Sequence, residues 1–163
     1  MDSDKGEELL MVRATYDVPY HWSAGQYVGK FFEELRDNGR IYANLCPKCG
    51  RGLIPPRPWC ARCNVRMGEW VELNGRGTVL VFSVAQQSFW DSGRGEMTPV
   101  PAAGAIIQLD GAPVLLRHAL QETDPEKLRM GMRVEAVLKP REQRIGTLND
   151  ILHFRTIEDE SHG

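Results

Sequence analysis

All four cysteines of the chain fall in one short stretch: Cys46-Pro47-Lys48-Cys49 and, after ten intervening residues, Cys60-Ala61-Arg62-Cys63. A two-residue gap lets both thiolates of one tight turn face the same ion, and two such turns close a four-sulfur shell. The chain must leave each turn through a backbone position of positive φ. Gly50 follows the first pair and Asn64 the second, and these two residue types adopt that conformation most cheaply. A closed four-thiolate shell has no open coordination position and needs no redox chemistry. It therefore points to one structural Zn2+ per chain, with iron on the same ligands as the alternative. Redox thiols and disulfides are the other readings of such pairs. A redox pair normally opens a helix after a strand, whereas Pro56-Arg57-Pro58-Trp59 precedes Cys60.

The surroundings of the cysteines are basic. Between Asn38 and Gly68 there is no Asp or Glu, but Arg40, Lys48, Arg51, Arg57, Arg62 and Arg66 are present, enough to outweigh the negative charge of a zinc tetrathiolate. They read either as solvated charges and donors that quiet the thiolates or as a site for an anionic ligand. The whole chain, at 163 residues and net charge −2, argues against a surface built for nucleic acid. Its length suits one medium domain or two small ones. The start, Met1 to Glu8, is acidic and polar, and nothing resembles an export signal or a membrane span, so a cytoplasmic location is expected.

The elements that must position the cysteines follow from local patterns. Residues 1–22 read as a loose tail. Ser23 followed by Gln26 forms a capping-box pattern, with Trp22 and Tyr27 as a hydrophobic staple, so a helix is predicted from about Ala24. Val28, Phe31, Phe32 and Leu35 continue it on one face and Asn38-Gly39 ends it, giving a helical segment over 23–39. Its apolar stripe is broad. It is either all core or partly a partner interface, with Tyr27, Phe31 and Phe32 as the candidates. Ile41 to Leu45 is a short strand into the first cysteine turn, and Gly52-Leu53-Ile54-Pro55-Pro56 crosses to the second. That is the plan of a rubredoxin-like zinc ribbon over 40–68.

Strand patterns dominate from 69 to 158. Glu69 to Leu73 alternates, Asn74 to Gly77 turns, and Thr78 to Gln87 is a long apolar strand. A Gly- and Pro-rich loop, about Ser88 to Pro101, carries Phe89, Trp90, Arg94 and Met97. Ala102–Leu109 and Pro113–Leu120 form a hairpin around Asp110-Gly111. Asp124-Pro125-Glu126 starts a short helix that Gly131 ends. Arg133–Lys139 and Ile151–Ile157 are two more strands, and residues 159–163 a tail. The fold class is mainly β: helix, ribbon, then a five-stranded OB-fold barrel whose long first strand bends at Ser83. A sandwich is the alternative.

Taken in order, Phe31-Phe32-Glu33-Glu34-Leu35-Arg36, Cys46-x-x-Cys49-Gly50, Pro55-Pro56-Arg57-Pro58-x-Cys60, Gly75-x-Gly77-Thr78-Val79 and Gly131-Met132-x-Val134 are similar to one family's motifs. Across roughly residues 22–157 the chain resembles the zinc-ribbon and OB-fold proteins associated with thiolases and hydroxymethylglutaryl-CoA synthases. Asn64 departs from the glycine common after the second pair. The resemblance implies a companion subunit of an acyl-CoA-processing enzyme, most similar to the small subunit of a benzoylsuccinyl-CoA-type thiolase. Its implied partner is a thiolase-like or ketosynthase-like subunit, two of each chain per assembly, with acyl-CoA as ligand.

Thiolase chemistry needs an uncommitted cysteine, its base and a place for the oxyanion. All four cysteines are committed to the metal, and His21, His118, His153 and His162 lie in no nucleophile motif, so no catalytic residue is assigned. For CoA, with its phosphates and thin apolar arm, Arg51, Arg57, Phe89, Trp90 and Arg94 are the candidate contacts. Phe89 and Trp90 read equally well as a plug over one barrel end. Two other classes stand beside this reading: a single-stranded nucleic-acid-binding protein and a purely structural zinc scaffold.

Overall fold

In the computed structural model, which describes residues 23–91 and 95–157, helix α1 spans Gly25–Asn38. Ala24 occupies the N-cap position without a side-chain bond, and Ser23 Oγ accepts from the Gly25 N–H at 3.1 Å. The expected capping box therefore does not form, because the serine hydroxyl is spent at the first helical residue. Trp22, the other half of the expected staple, lies outside the described residues. Gly39 stops the helix at φ 67°, a left-handed position that costs glycine no Cβ clash, with its N–H on the Glu34 carbonyl.

Five short strands follow: β1 (Ile41–Leu45), β2 (Gly52–Leu53), β3 (Trp59–Cys60), β4 (Val65–Arg66) and β5 (Trp70–Leu73). They make a three-stranded antiparallel sheet in the order β2-β1-β5 and a separate β3-β4 hairpin. The segment 69–73, which precedes the long first barrel strand, pairs with β1, for example Tyr42 opposite Glu72. Helix α1 lies against this sheet: Tyr27 stacks on Trp70 at 5.7 Å, and Lys30 Nζ sits 4.6 Å from the same ring.

The remaining strands are β6 (Arg76–Ala85), β7 (Trp90–Asp91), β8 (Glu96–Met97), β9 (Ala102–Leu109), β10 (Val114–Leu120), β11 (Arg133–Leu138) and β12 (Ile151–Thr156). Five of them close a barrel in the order β10-β12-β11-β6-β9, with β10 and β12 parallel. This is the OB barrel rather than the sandwich. β6 serves both neighbours, meeting β11 through Arg76–Thr78 and β9 through Gly77–Ala85. The strand's irregularity falls between Val79 and Val81, not at Ser83, and a bulge there supplies the local twist that closure needs. β7 and β8 form a two-stranded flap between β6 and β9.

The short helix expected from Asp124 is a turn. Asp124 Oδ1 accepts the Glu126 N–H at 3.0 Å and the Asp124 carbonyl accepts the Lys127 N–H at 3.1 Å, after which buried Leu128 and Met132 pull the chain into the core. So short a segment cannot repay helix nucleation. Between β11 and β12 the connection is organised by Asp150, whose buried carboxylate accepts N–H bonds from Ile145, Gly146 and Thr147 at 3.0, 2.7 and 3.3 Å.

One apolar core joins Phe31 and Leu35 of the helix, Ile41 and Ala43 of β1 and Leu73 of β5 to Val79, Ile107 and Phe154 of the barrel. The ribbon has a second, smaller cluster of Cys46, Cys60 and Met67. β2 rests directly on the barrel, where the Gly52 N–H donates to the Pro113 carbonyl at 3.3 Å. Among the described residues no helix is long and apolar enough to cross a membrane.

Candidate metal centre

β1 carries the chain into the first cysteine turn. There the Gly50 N–H returns to the Cys46 carbonyl at 2.9 Å, the Cys46 N–H meets the Arg51 carbonyl at 2.9 Å, and Gly50 has φ 68°. The second turn repeats this plan on the β3-β4 hairpin: the Asn64 N–H meets the Cys60 carbonyl at 2.9 Å and Asn64 has φ 51°. Both positive-φ exits fall where the residue types required them. The result brings the four Sγ atoms within 4.8 Å of one another, with Cys49 and Cys60 3.9 Å apart. A tetrahedron with metal–sulfur bonds of about 2.3 Å has edges of about 3.8 Å, so the spacing suits an ion and is far too long for a disulfide. All four cysteines are free.

Electrostatics favour the same occupant. A hydrogen bond from the Arg51 backbone holds the Cys49 thiol below its ordinary range. Its hydrogen-bonding to Cys49, reinforced by burial, pushes Cys63 up to about 12. Four sulfurs this close cannot all ionise unless a cation sits among them, and a divalent ion removes that repulsion. The four cysteines can thus hold a metal ion.

Asn44, which sequence reasoning passed over, joins the two halves of the centre. It is fully buried on β1; its Nδ2 donates to the Arg57 carbonyl at 2.7 Å and its Oδ1 accepts the Arg57 N–H at 3.4 Å. A polar residue interrupting the apolar strand Ile41–Leu45 was the available signal, since such a group is buried only when its hydrogen bonds are met.

The six cations of the acid-free run divide. Arg40 Nε approaches Glu72 at 3.8 Å and Arg66 Nε contacts the Tyr27 hydroxyl at 3.5 Å. Lys48, Arg51, Arg57 and Arg62 are exposed around the cysteine turns and make no ion pair among the described residues. Beside them stands Trp59, 57% exposed and paired with Arg66 across the hairpin, another residue not singled out from sequence.

The other candidates lie elsewhere. Phe89 and Trp90, 52% and 62% exposed, sit on the barrel's flap beside exposed Met97 and Val100. Neither ring is buried within the barrel. Arg94 lies outside the described residues, as do His21 and His162. Phe31 must be removed from the interface candidates, because its ring is 0% exposed in the chain's own core. Phe32 packs 5.4 Å from Phe31 and Tyr27 lies on Trp70, both half-buried.

A helix and small sheet sharing one core with an OB barrel, and a four-cysteine ribbon with a small cluster of its own, define the class of protein. Residues 70–139 match the family described as ChsH2, C-terminal OB-fold domain. Over 112 residues the chain is 30% identical to a DUF35 domain-containing scaffold protein of Pyrococcus furiosus, covering 69% of this chain and 78% of that one. The chain belongs to the DUF35 family. Among solved structures, it shares its fold with the Ltp2-ChsH2(DUF35) aldolase, at TM-score 0.56 and 23% identity over 83% of this chain and 98% of that one. A DUF35-family structure of unknown function from Sulfolobus solfataricus matches at TM-score 0.49 and 20% identity, over 78% and 81% of the two chains.

Proposed function

We propose that this chain is a non-catalytic, zinc-containing companion subunit of a thiolase-like acyl-CoA enzyme, helping to assemble the complex and to bind its CoA substrate. The observation that carries this reading is the use of every cysteine in one closed cluster, which leaves no thiol to act as an acyl acceptor. Zinc fits the closed four-thiolate donor set best. The scaffold name of the Pyrococcus relative and the aldolase complex that shares the fold both favour a chain that works beside an enzyme.

The partner surface is the flap, where Phe89, Trp90, Met97 and Val100 expose large apolar side chains in a short span, with Tyr27 and Phe32 of the helix as a second area. The unpaired Arg51 and Arg57 are the groups offered to CoA phosphates. The test is co-expression with the thiolase-like subunit from the same organism, followed by size-exclusion chromatography and thiolysis assays. A joint peak, with activity in the complex and none in this chain alone, is expected. Separate elution, or thiolysis by the isolated chain, overturns the reading.

A further inference from the structure

The closed barrel is most sparsely paired at one seam. Parallel strands β10 and β12 share one register position, Leu120 opposite Phe154, because β12 emerges directly from the 3-10 turn Leu148–Asp150 and does not follow β10 further back. A cavity of about 640 Å³ lies here, lined by Arg117 and His118 from β10, Leu152 and His153 from β12, and Asn149 and Phe89 from the adjoining turn and flap. That volume is in the range of small-molecule sites, which combine apolar walls with a few converging polar groups. His118 Nε2 lies 3.3 Å from the Leu148 carbonyl, which makes that nitrogen the protonated one, and its ring packs on Phe154 at 5.7 Å. His153 is held below the ordinary imidazole range by burial and by the charge of Arg155, so it adds no second cation near neutral pH. Arg117 is exposed and makes no ion pair among the described residues, whereas Asp91, the acid in the lining, already has an interaction of its own.

An unpaired guanidinium beside a mostly apolar cavity is complementary to a carboxylate on a hydrocarbon body: the fork takes both oxygens and the walls take the carbons. We propose that the β10–β12 seam is a binding site for a small apolar carboxylate, with Arg117 holding the carboxylate and Phe89, Leu120 and Leu152 the hydrocarbon. This site goes beyond the companion-subunit reading; it shares only Phe89 with the flap surface proposed for the partner, and Arg117, Leu120 and Leu152 belong to the chain's own barrel.

The test uses the full-length chain with sodium octanoate and, as an uncharged probe of equal length, 1-octanol. Binding is followed by calorimetry and by the imidazole NMR signals of His118 and His153. Octanoate should bind and move both signals. Arg117→Met should weaken octanoate about tenfold, the loss of a charge-assisted hydrogen bond, and leave octanol binding as it was. Ala119→Trp, which fills the lining without changing a charge, should abolish binding of both. Unmoved imidazole signals, an octanoate affinity unchanged in Arg117→Met, an equal loss for the alcohol, or binding that survives Ala119→Trp would each overturn the proposal. A chain that joins its thiolase-like partner yet ignores octanoate loses this site alone.

Discussion

Cys46 and Cys60 are buried, while Cys49 and Cys63 lie toward the surface, so each turn contributes one inner and one outer sulfur. Replacing either inner cysteine by serine removes a thiolate from the shell. The parent should carry about one zinc per chain by mass spectrometry of the metal, and Cys46→Ser and Cys60→Ser should lose it. Full metal content in both variants would sink the assignment. A second residue-scale device is the pair in which Arg133 Nη1 donates to Asp110 Oδ1 at 2.9 Å while Nη2 meets Oδ2. The Arg133 hydrogen bond holds the Asp110 carboxyl below its ordinary value of 3.8. A carboxyl more acidic in the folded chain stabilises the fold above its unfolded pKa, and that contribution is lost as pH falls through the lowered folded value. Asp110→Asn should therefore cost roughly 1 kcal/mol at neutral pH and flatten the fall in Tm on the acid side. If its Tm-against-pH curve tracks the parent's at every pH, the pair contributes nothing.

At the scale of elements, the ribbon sits on the barrel through Gly52. A Cβ there would lie 2.1 Å from Val114 Cγ1 and 3.3 Å from the Pro113 carbonyl, so any side chain forces β2 away from β10. Gly52→Ala should destabilise by roughly 1–3 kcal/mol, the usual range for overpacking, while metal content stays at the parent's level. An unchanged denaturation midpoint would mean that the contact yields freely. The contrast between α1 and the segment from Asp124 is instructive at this scale. Both begin with plausible start signals. Only α1 has the length and the buried Phe31 and Leu35 to hold a helix, whereas Leu128 and Met132 anchor the other segment within a turn.

At the scale of the molecule, the two cores of unequal size among the described residues imply unequal dependence on a bound metal. The ribbon cluster is only Cys46, Cys60 and Met67 with their half-buried neighbours, whereas the main core runs from the helix through the barrel. Chelation should release hydrogen-exchange protection over residues 46–67 and leave that of 76–85 and 102–109 in place. Uniform loss along the chain would show that the ribbon and barrel fold as one unit. The exposed flap gives the assembly-level prediction. Trp90→Asp should leave the isolated chain's stability within about 0.5 kcal/mol of the parent, as for surface changes generally, yet break co-elution with the proposed thiolase-like subunit. If complex formation survives, the flap is not the docking surface.

What the sequence determined on its own was whatever is encoded by neighbours in the chain. Cysteine spacing, Gly50 and Asn64 after the pairs, Gly39 at the helix end, Asp110-Gly111 in the hairpin and the alternation in β9 and β10 all act within a few residues, and each is where local chemistry required it. What needed the tertiary structure was partnership between distant residues. Alternation in Trp70–Leu73 shows a half-buried strand but not that β1, rather than the barrel, lies beside it. A helical period marks Phe31 as apolar but cannot say whose core it fills. Asn44 is one polar residue in an apolar strand, and only the fold brings the Arg57 backbone to its side chain. The seam between β10 and β12 exists only because closing the barrel brings two remote strands together at one register position, a consequence of long-range pairing that no local pattern records.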